Sequence, residues 1–485
     1  MNDQLPIGLS FDDVTIVPGR SGVLPAQAGL TTQLTRDIRL AIPVVSAAMD
    51  TVSEERLAMA LAREGGIGII HRNCPLEKQV AMVRRVKRAE NIVITHPETV
   101  LPETTLGQLR RRMRETGIEG FPVVDGQNLV LGVVTRRDIW VEENENILVR
   151  DVMTPRERLV TASPGCTQAE AKAILHRNRI EKLPLLDTDG RLVGLMTASD
   201  IVKTMQHGQA SKDAEGRLRV GAAIGVGPRA LEAGDALVEA GCDVIAIDAA
   251  TGHTESMLGQ LEKCAGRWPG VPVIAGNVVT AEGAADLMAA GAAAIKVGVG
   301  PGSICTTRVI AGVGTPQFSA IRTVSRVCRE RGIPLIADGG IRYSGDIVKA
   351  LAAGADAVML GSLLAGTEES PGKLARWQGR TFKEYRGMGS AGALAKGSRD
   401  RYGQEGAAKF VPEGVEARIP YRGTLGELVF HLMGGLRAGM GYVGASNLEE
   451  LRAKATFMQV TAAGLRESHP HDVTITEEPV NYHSS

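Results

Sequence analysis

Short apolar runs of four or five residues recur along the chain, each closed by a small or polar residue and followed by a stretch with helical spacing. The runs are Pro43–Ser46, Ile67–His71, Val220–Ile224, Val244–Asp248, Val273–Asn277, Ala294–Val297, Leu335–Asp338 and Ala357–Gly361. Helix-period segments such as Ala281–Met288 and Gly345–Leu351 lie between them. Runs this short and this uniformly apolar read as strands buried on both faces, and their alternation with helices reads as parallel βα units. Eight such units predict an α/β protein of the (β/α)8 TIM-barrel type, with a doubly wound open sheet as the runner-up.

The gap between the second and third runs is far longer than a βα connection, and it holds an internal repeat. Phe121-Pro122-Val123-Val124-Asp125 recurs as Leu183-Pro184-Leu185-Leu186-Asp187, and Gly132-Val133-Val134-Thr135-Arg136-Arg137-Asp138 as Gly194-Leu195-Met196-Thr197-Ala198-Ser199-Asp200. The spacing from Pro122 to Pro184 equals that from Asp138 to Asp200. Domain boundaries follow: the first part of the barrel at 1–92, one copy of the repeat at 93–149, the second at 153–212, and the rest of the barrel at 213–485. The polar segment Ser211–Arg217 suits an exposed hinge. A glycine- and charge-rich insert at about 380–425 follows the eighth run; without an apolar period it reads as a mobile flap or a disordered loop.

The charge balance, 55 Lys+Arg against 55 Asp+Glu, leaves no nucleic-acid or acidic-membrane footprint. The six cysteines (74, 166, 242, 264, 305 and 328) have no metal-ligand spacing and suit a reducing, cytoplasmic setting. The first residues lack the basic start and apolar core of a signal peptide, and no apolar run reaches the length of a membrane span.

A TIM barrel builds its site at the C-terminal ends of its strands. Those positions are Ser46, His71, Asp248, Asn277, the loop Gly298–Cys305, Asp338-Gly339-Gly340 and Gly361-Ser362. His71 and Asn277 read equally as structural polar residues. Asp338-Gly339-Gly340 and Gly361-Ser362 end the last two strands, where such barrels often seat a phosphate on backbone N–H groups. Within Gly298-Val299-Gly300-Pro301-Gly302-Ser303-Ile304-Cys305-Thr306-Thr307-Arg308 the glycines admit close approach by a ligand. A thiol in such a polar, electropositive loop is suited to attack electrophilic carbon; the plainer reading is a glycine-rich turn with an incidental cysteine. No GxGxxG fingerprint follows a first strand, which argues against a Rossmann-type dinucleotide site.

Gly300-Pro301-Gly302-Ser303-Ile304-Cys305-Thr306-Thr307-Arg308, followed by Ala311-Gly312-Val313-Gly314 and Pro316-Gln317, resembles the active-site loop of the IMP dehydrogenase and GMP reductase family, and the resemblance extends over essentially the whole chain. It implies oxidation of IMP to XMP with NAD, the first committed step of guanine nucleotide synthesis. Cys305 would attack C2 of IMP, hydride would leave to NAD, and Arg401-Tyr402 would then activate the water that hydrolyses the adduct. Arginine is an unusual base, since its pKa normally lies above about 12; Thr306 with a nearby carboxylate, Glu416, is the alternative proton path. By carry-over Ser303, Asp338, Gly339, Gly340, Gly361, Ser362, Tyr385, Arg386, Gly387, Met388, Gly389 and Glu413 would bind IMP, while Asp248, Gly298, Val299 and Gly300 would border NAD. The carbonyls of Gly300, Gly302 and Cys305 would hold potassium together with Glu467, Ser468 and His469 of another subunit, which implies a homotetramer, with an octamer as a further assembly. The repeat resembles a tandem CBS (Bateman) pair, which implies binding of adenine or guanine nucleotides through Asp138 and Asp200, or a degenerate pair that only packs.

Three departures stand out. The fourth strand continues Asp248-Ala249-Ala250-Thr251 where the family often has serines, Gly403 follows Tyr402 where an aromatic is common, and Pro316-Gln317-Phe318-Ser319-Ala320 leans toward the reductases. The rivals are therefore a GMP reductase using NADPH, and a non-catalytic nucleotide-sensing protein in which the repeat does the work. The Arg401-Tyr402 flap argues against the first, since a reductase needs no hydrolytic water, and an intact Cys305 argues against the second.

Overall fold

The computed structural model describes residues 5–89, 93–95, 97–199, 201–202, 208–402, 409–479 and 481–482. The chain divides into two compact units, Met1–Ala89 with Gln209–Ser485, and Glu90–Gly208.

In the larger unit the eight apolar runs form a closed parallel barrel. Its strands are Val44–Ser46 (β1), Ile67–Ile70 (β2), Val220–Ile224 (β3), Val244–Ile247 (β4), Val273–Val278 (β5), Ala294–Val297 (β6), Leu335–Asp338 (β7) and Ala357–Leu360 (β8). The ring closes where Leu360 of β8 pairs with Ser46 of β1. Each strand is followed by a packed helix: Glu55–Arg63 (α1), Leu76–Arg88 (α2), Ala230–Glu239 (α3), Glu255–Arg267 (α4), Ala281–Ala289 (α5), Gln317–Arg331 (α6), Ser344–Ala353 (α7) and Leu425–Val443 (α8). The barrel is thus the predicted one, and the open sheet is excluded.

Period-two alternation sorts the strand side chains into two layers. Val45, Ile69, Ala246, Ile274, Ala294, Ile336, Ala357 and Met359 fill the barrel interior, while Val44, Ile70, Ile245, Ala275, Ile295, Ala337 and Val358 pack outward on the helices. The hairpin Thr32–Gln33 with Arg39–Leu40 adds Leu34, Ile38 and Leu40 to the interior from the N-terminal end of the strands. Outward-facing Gly68 lets α1 lie against β2, for a Cβ there would meet Ala58 Cα at 2.6 Å. Threonines cap the helices that begin near the barrel mouth: Thr254, Thr280 and Thr424 each accept a backbone N–H from the first turn.

The insert after β8 carries more order than its composition predicts. Leu374–Trp377, Arg380–Arg386 and Glu416–Pro420 form a three-stranded antiparallel sheet, and short helical turns occupy Ala391–Tyr402. The sheet escapes pattern reading because its outer strands are four and five residues long and mostly exposed, so neither carries an apolar face long enough to mark a strand.

In the smaller unit three elements of the first half recur 62 residues on: helix Leu106–Thr116 as Gln168–Asn178, strand Gly120–Val124 as Lys182–Leu186, and strand Val130–Thr135 as Leu192–Thr197. Both helices begin with a capping box, Thr105 with Gln108 and Thr167 with Glu170. Each half has its own apolar core, and Val124, Val130 and Leu192 join the halves.

Candidate active site

The C-terminal ends of the strands open on a cleft of about 980 Å³, with Cys305 on its wall. Two hollows adjoin it. One, of about 920 Å³, lies over β7 and β8 and is lined by Ser303, Asp338, Gly339, Gly340, Gly361, Ser362 and Tyr385. The other, of about 1940 Å³, lies beyond Asp248 and Asn277. Cys305 therefore stands on the wall of the cleft that lies between the two hollows.

The Cys305 loop is held from below by Arg308. Its Nε donates to Val299 O at 3.1 Å and its Nη2 donates to Thr315 O. The side chain runs between Gly300 and Gly314, both at positive φ, where a Cβ would come within 2.5 Å and 2.7 Å of Arg308 Cγ. From above, the loop is stitched to the flap: Cys305 bridges Gly414, Thr306 N donates to Glu413 O at 3.0 Å, and Val415 N donates to Ile304 O at 3.0 Å. Cys305 Sγ lies 3.2 Å from Thr307 Oγ1. The nucleophile candidate is thus fixed by backbone on both sides, with its sulfur facing the cleft.

On the β7 side, buried Lys296 points inward from β6. Its Nζ donates to Asp338 Oδ2 at 2.8 Å and to Asn277 Oδ1. Asn277 Nδ2 in turn donates to Gly298 O at 2.6 Å and to Asp338 Oδ2 at 3.0 Å. One carboxylate oxygen of Asp338 is thereby committed, which orients the group at the cleft floor. Gln317 Nε2 ties β6 to β7 through Val297 O at 2.8 Å and Asp338 O at 3.2 Å. Tyr385 closes the far end: burial pushes its hydroxyl up to about 12 even though Ser303 hydrogen-bonds it. The bare Gly361 leaves room for that hydroxyl, which a Cβ would meet at 3.1 Å.

On the other side the flap descends on β2 and β4. Arg401 Nη1 donates to Asp248 Oδ1, and Ala250 N donates to Arg401 O at 3.1 Å. Burial, with the neighbouring Arg72 charge, draws Arg401 below the usual arginine range. Burial raises Tyr402, and Cys305 and Glu413 face it. Its hydroxyl lies over Gly389, at 2.7 Å from where a Cβ would stand. Asp248 Oδ2 is buried without a hydrogen-bond partner among the described residues, an acceptor that fits the hydroxyl of an incoming ribose.

Most of the residues singled out from sequence meet in this cleft and its two hollows: Cys305, Arg401, Tyr402, Asp248, Gly298–Gly302, Ser303, Asp338–Gly340, Gly361, Ser362, Tyr385, Gly387–Gly389 and Glu413; Thr306 adjoins them, its N held by Glu413 O. Others face elsewhere. Arg386 turns away to pair with Asp50, its Nε 3.0 Å from Asp50 Oδ1. Glu416 caps the turn at Gly392, whose N donates to it at 2.8 Å; the residue set beside Thr306 is Glu413, whose backbone carbonyl accepts Thr306 N. His71 accepts Asn73 N and faces Glu54, and Ser46 bonds Ser53, so both serve the fold. Glu467, Ser468 and His469 end the helix Ala462–Glu467, with His469 Nδ1 3.0 Å from the Tyr482 hydroxyl; none of the three lines the cleft. Asp138 accepts from Thr135 N and Oγ1, both at 2.7 Å, and Asp200 and Gly403 lie outside the described residues. Sequence reasoning missed Lys296 and Arg72. Each is a charge inside or next to an apolar run, and that is the one signal available for either.

A family model described as the IMP dehydrogenase / GMP reductase domain matches residues 8–471. The inosine-5'-monophosphate dehydrogenase of Aquifex aeolicus (strain VF5) is 56% identical over 478 residues, covering 98% of this chain and 97% of the relative. That of Escherichia coli (strain K12) is 52% identical over 476 residues, 98% of each chain. Among solved structures, a variant of Trypanosoma brucei GMP reductase in complex with guanosine 5'-monophosphate matches with a TM-score of 0.91 at 42% identity, over 98% of this chain and 100% of that one. The T. brucei enzyme in complex with guanosine 5'-triphosphate matches with a TM-score of 0.81 at 38% identity, over 94% and 99%.

Proposed function

The chain belongs to the IMP dehydrogenase / GMP reductase family, and we propose how its own residues carry the dehydrogenase reaction, the NAD-dependent oxidation of IMP to XMP. The observation that carries the reading is Cys305 standing between two hollows, with Arg401 and Tyr402 of the flap beside it.

IMP would lie over β7 and β8. Asp338, oriented by Lys296 and Asn277, suits the ribose hydroxyls, and Ser303, Gly340, Gly361, Ser362 and Tyr385 suit the phosphate. Gly387, Met388, Gly389 and Glu413 would cover the base; Arg386 would contribute through its backbone, since its side chain is held by Asp50. The Cys305 thiolate would form a bond to C2 of IMP as the hydride at C2 leaves; NAD, which would take up that hydride, would be held in the hollow beyond Asp248. Asp248 and the backbone of Gly298–Gly300 would position that dinucleotide.

Hydrolysis needs a water at the same carbon and a group to take its proton. Arg401 supplies it: burial and the charge of Arg72 lower its hold on its proton, and it enters the space the dinucleotide has left. Thr306, with the Glu413 carboxylate at the wall of the cleft, would offer a second route for the proton. Water attacks C2, the C2–sulfur bond breaks, and XMP leaves with the thiolate regenerated. Flap and dinucleotide both use Asp248, so they alternate rather than coexist.

A potassium ion would sit among the carbonyls of Gly300, Gly302 and Cys305, where a Cβ on Gly302 would find only Cys305 Cβ, at 3.6 Å. Glu467, Ser468 and His469 would complete that site from a second copy, within a homotetramer that further nucleotide binding would pair into an octamer. The tandem repeat reads as a CBS pair taking adenine or guanine nucleotides, which fits its two equivalent halves.

The GMP reductase neighbours favour one second reading, NADPH-dependent deamination of GMP. Absorbance at 340 nm separates the two. A rise with IMP, NAD and potassium and no change with GMP and NADPH is expected; a fall in the second mixture alone overturns the dehydrogenase reading.

A further inference from the structure

Arg72 follows β2, and its guanidinium grips the flap as a fork: Nη1 lies 2.7 Å from Asp400 Oδ2 and Nη2 lies 2.9 Å from Asp400 Oδ1. Its Nε is 3.6 Å from Asp248 Oδ2, just beyond hydrogen-bond range. Both of those atoms are buried and without another hydrogen-bond partner among the described residues. Arg401 pairs with the other oxygen of Asp248. Four charges therefore alternate in sign, two from the barrel (Arg72 and Asp248) and two from the flap (Asp400 and Arg401). Gly225, after β3, leaves the seat open, for a Cβ there would lie 2.7 Å from Asp400 Oδ2 and 3.1 Å from Arg72 Nη1.

We propose that Arg72 is a positioning residue, the barrel's latch for the flap, which decides how long Arg401 and Tyr402 stand beside Cys305. The inference rests on the reading of the flap as the hydrolytic half of the reaction. When the flap lifts, Arg72 loses Asp400, and its Nε stands opposite Asp248 Oδ2 with a small movement left to close. The barrel is then not left with an uncompensated buried charge, the condition that makes broken ion pairs costly. The latch exchanges partners, so its net free energy stays small and the dinucleotide can displace it. A lysine would keep the charge but lose the bidentate fork. The Arg72 charge also adds to burial in lowering Arg401, against the opposing pull of Tyr402.

Pre-steady-state NADH formation by the full chain with IMP and NAD tests this. Arg72→Gln is expected to leave the rate and amplitude of the first NADH burst within about twofold and to lower the steady-state rate about tenfold, or ~1.4 kcal/mol. Asp400→Asn should do the same, the double variant should be no slower than either single one, and Arg72→Lys should fall about threefold. A burst that drops along with the steady state assigns Arg72 to the dinucleotide or the fold instead, and an unchanged steady state or multiplying effects remove the pair; any of these overturns the latch. A wild-type chain that forms no NADH from IMP and NAD fails earlier, and overturns the dehydrogenase reading itself.

Discussion

Replacing Lys296 with methionine tests what holds the β7 carboxylate in place. The Lys296 side chain is 5% exposed and that of Asp338 21%, with Nζ 2.8 Å from Oδ2. At an effective dielectric of about 20, the attraction at that distance is ~6 kcal/mol, most of it offset by the cost of taking both charges out of water. Methionine keeps nearly the same volume, so repacking costs under ~1.5 kcal/mol. What remains is a carboxylate with its cation gone, which costs ~3–5 kcal/mol in a fully buried pair. Asn277 Nδ2 still donates to Asp338 at 3.0 Å and one face meets the cleft, so the lower end, ~3 kcal/mol, is expected. Urea unfolding followed by the fluorescence of buried Trp268 reads the loss, and Lys296→Met/Asp338→Asn should recover most of it. In the single variant the KM for IMP should rise at least tenfold while alkylation of Cys305 keeps its rate. An unchanged unfolding midpoint with KM within twofold of wild type would refute the reasoning.

Three further outcomes are expected. Cys305→Ala should abolish NADH formation while still binding IMP, measured by calorimetry. Arg401→Ala should keep a burst of NADH and slow XMP release by at least a hundredfold on the usual scale of general-base loss, ~10²–10⁴; a normal steady-state rate would remove the flap from the hydrolytic step. His71 and Lys78 hold the Glu54 carboxyl down to about 2, below its unfolded value of about 4.3, so this group stabilises the fold above the unfolded value and loses the effect as pH falls toward 2. Glu54→Gln should therefore flatten the acid limb of stability between pH ~5 and ~2 by ~1–2 kcal/mol, read by thermal melts across that range.

The barrel was legible because a strand buried on both faces needs an uninterrupted apolar run, and eight such runs between helical segments admit few topologies. Asp338 and Gly361 were legible for the same reason: they stand at strand ends, and strand ends converge, whereas Cys305 lies in the loop beyond its strand and was picked out by its motif. The flap sheet was not, since strands such as Glu416–Pro420 are short and almost wholly exposed and so present no apolar run. Glu416 and Glu413 illustrate the finer limit. Three residues apart, either could serve Thr306 as read from the chain, and only the pairing of the flap with the Cys305 loop sets Glu413 beside it.

Neighbouring residues alone set the repeating units, the tandem insert and the strand-end groups of the barrel mouth, because local apolar periodicity and strand termini are read from short stretches of chain. Which charges meet is settled by the packing of the folded chain. Lys296 with Asp338, and Arg72 with Asp400 across 328 residues of chain, are chosen when the barrel closes and the flap settles on it. Charge pairing depends on distances of a few ångströms and on burial, neither of which exists until the strands have come together.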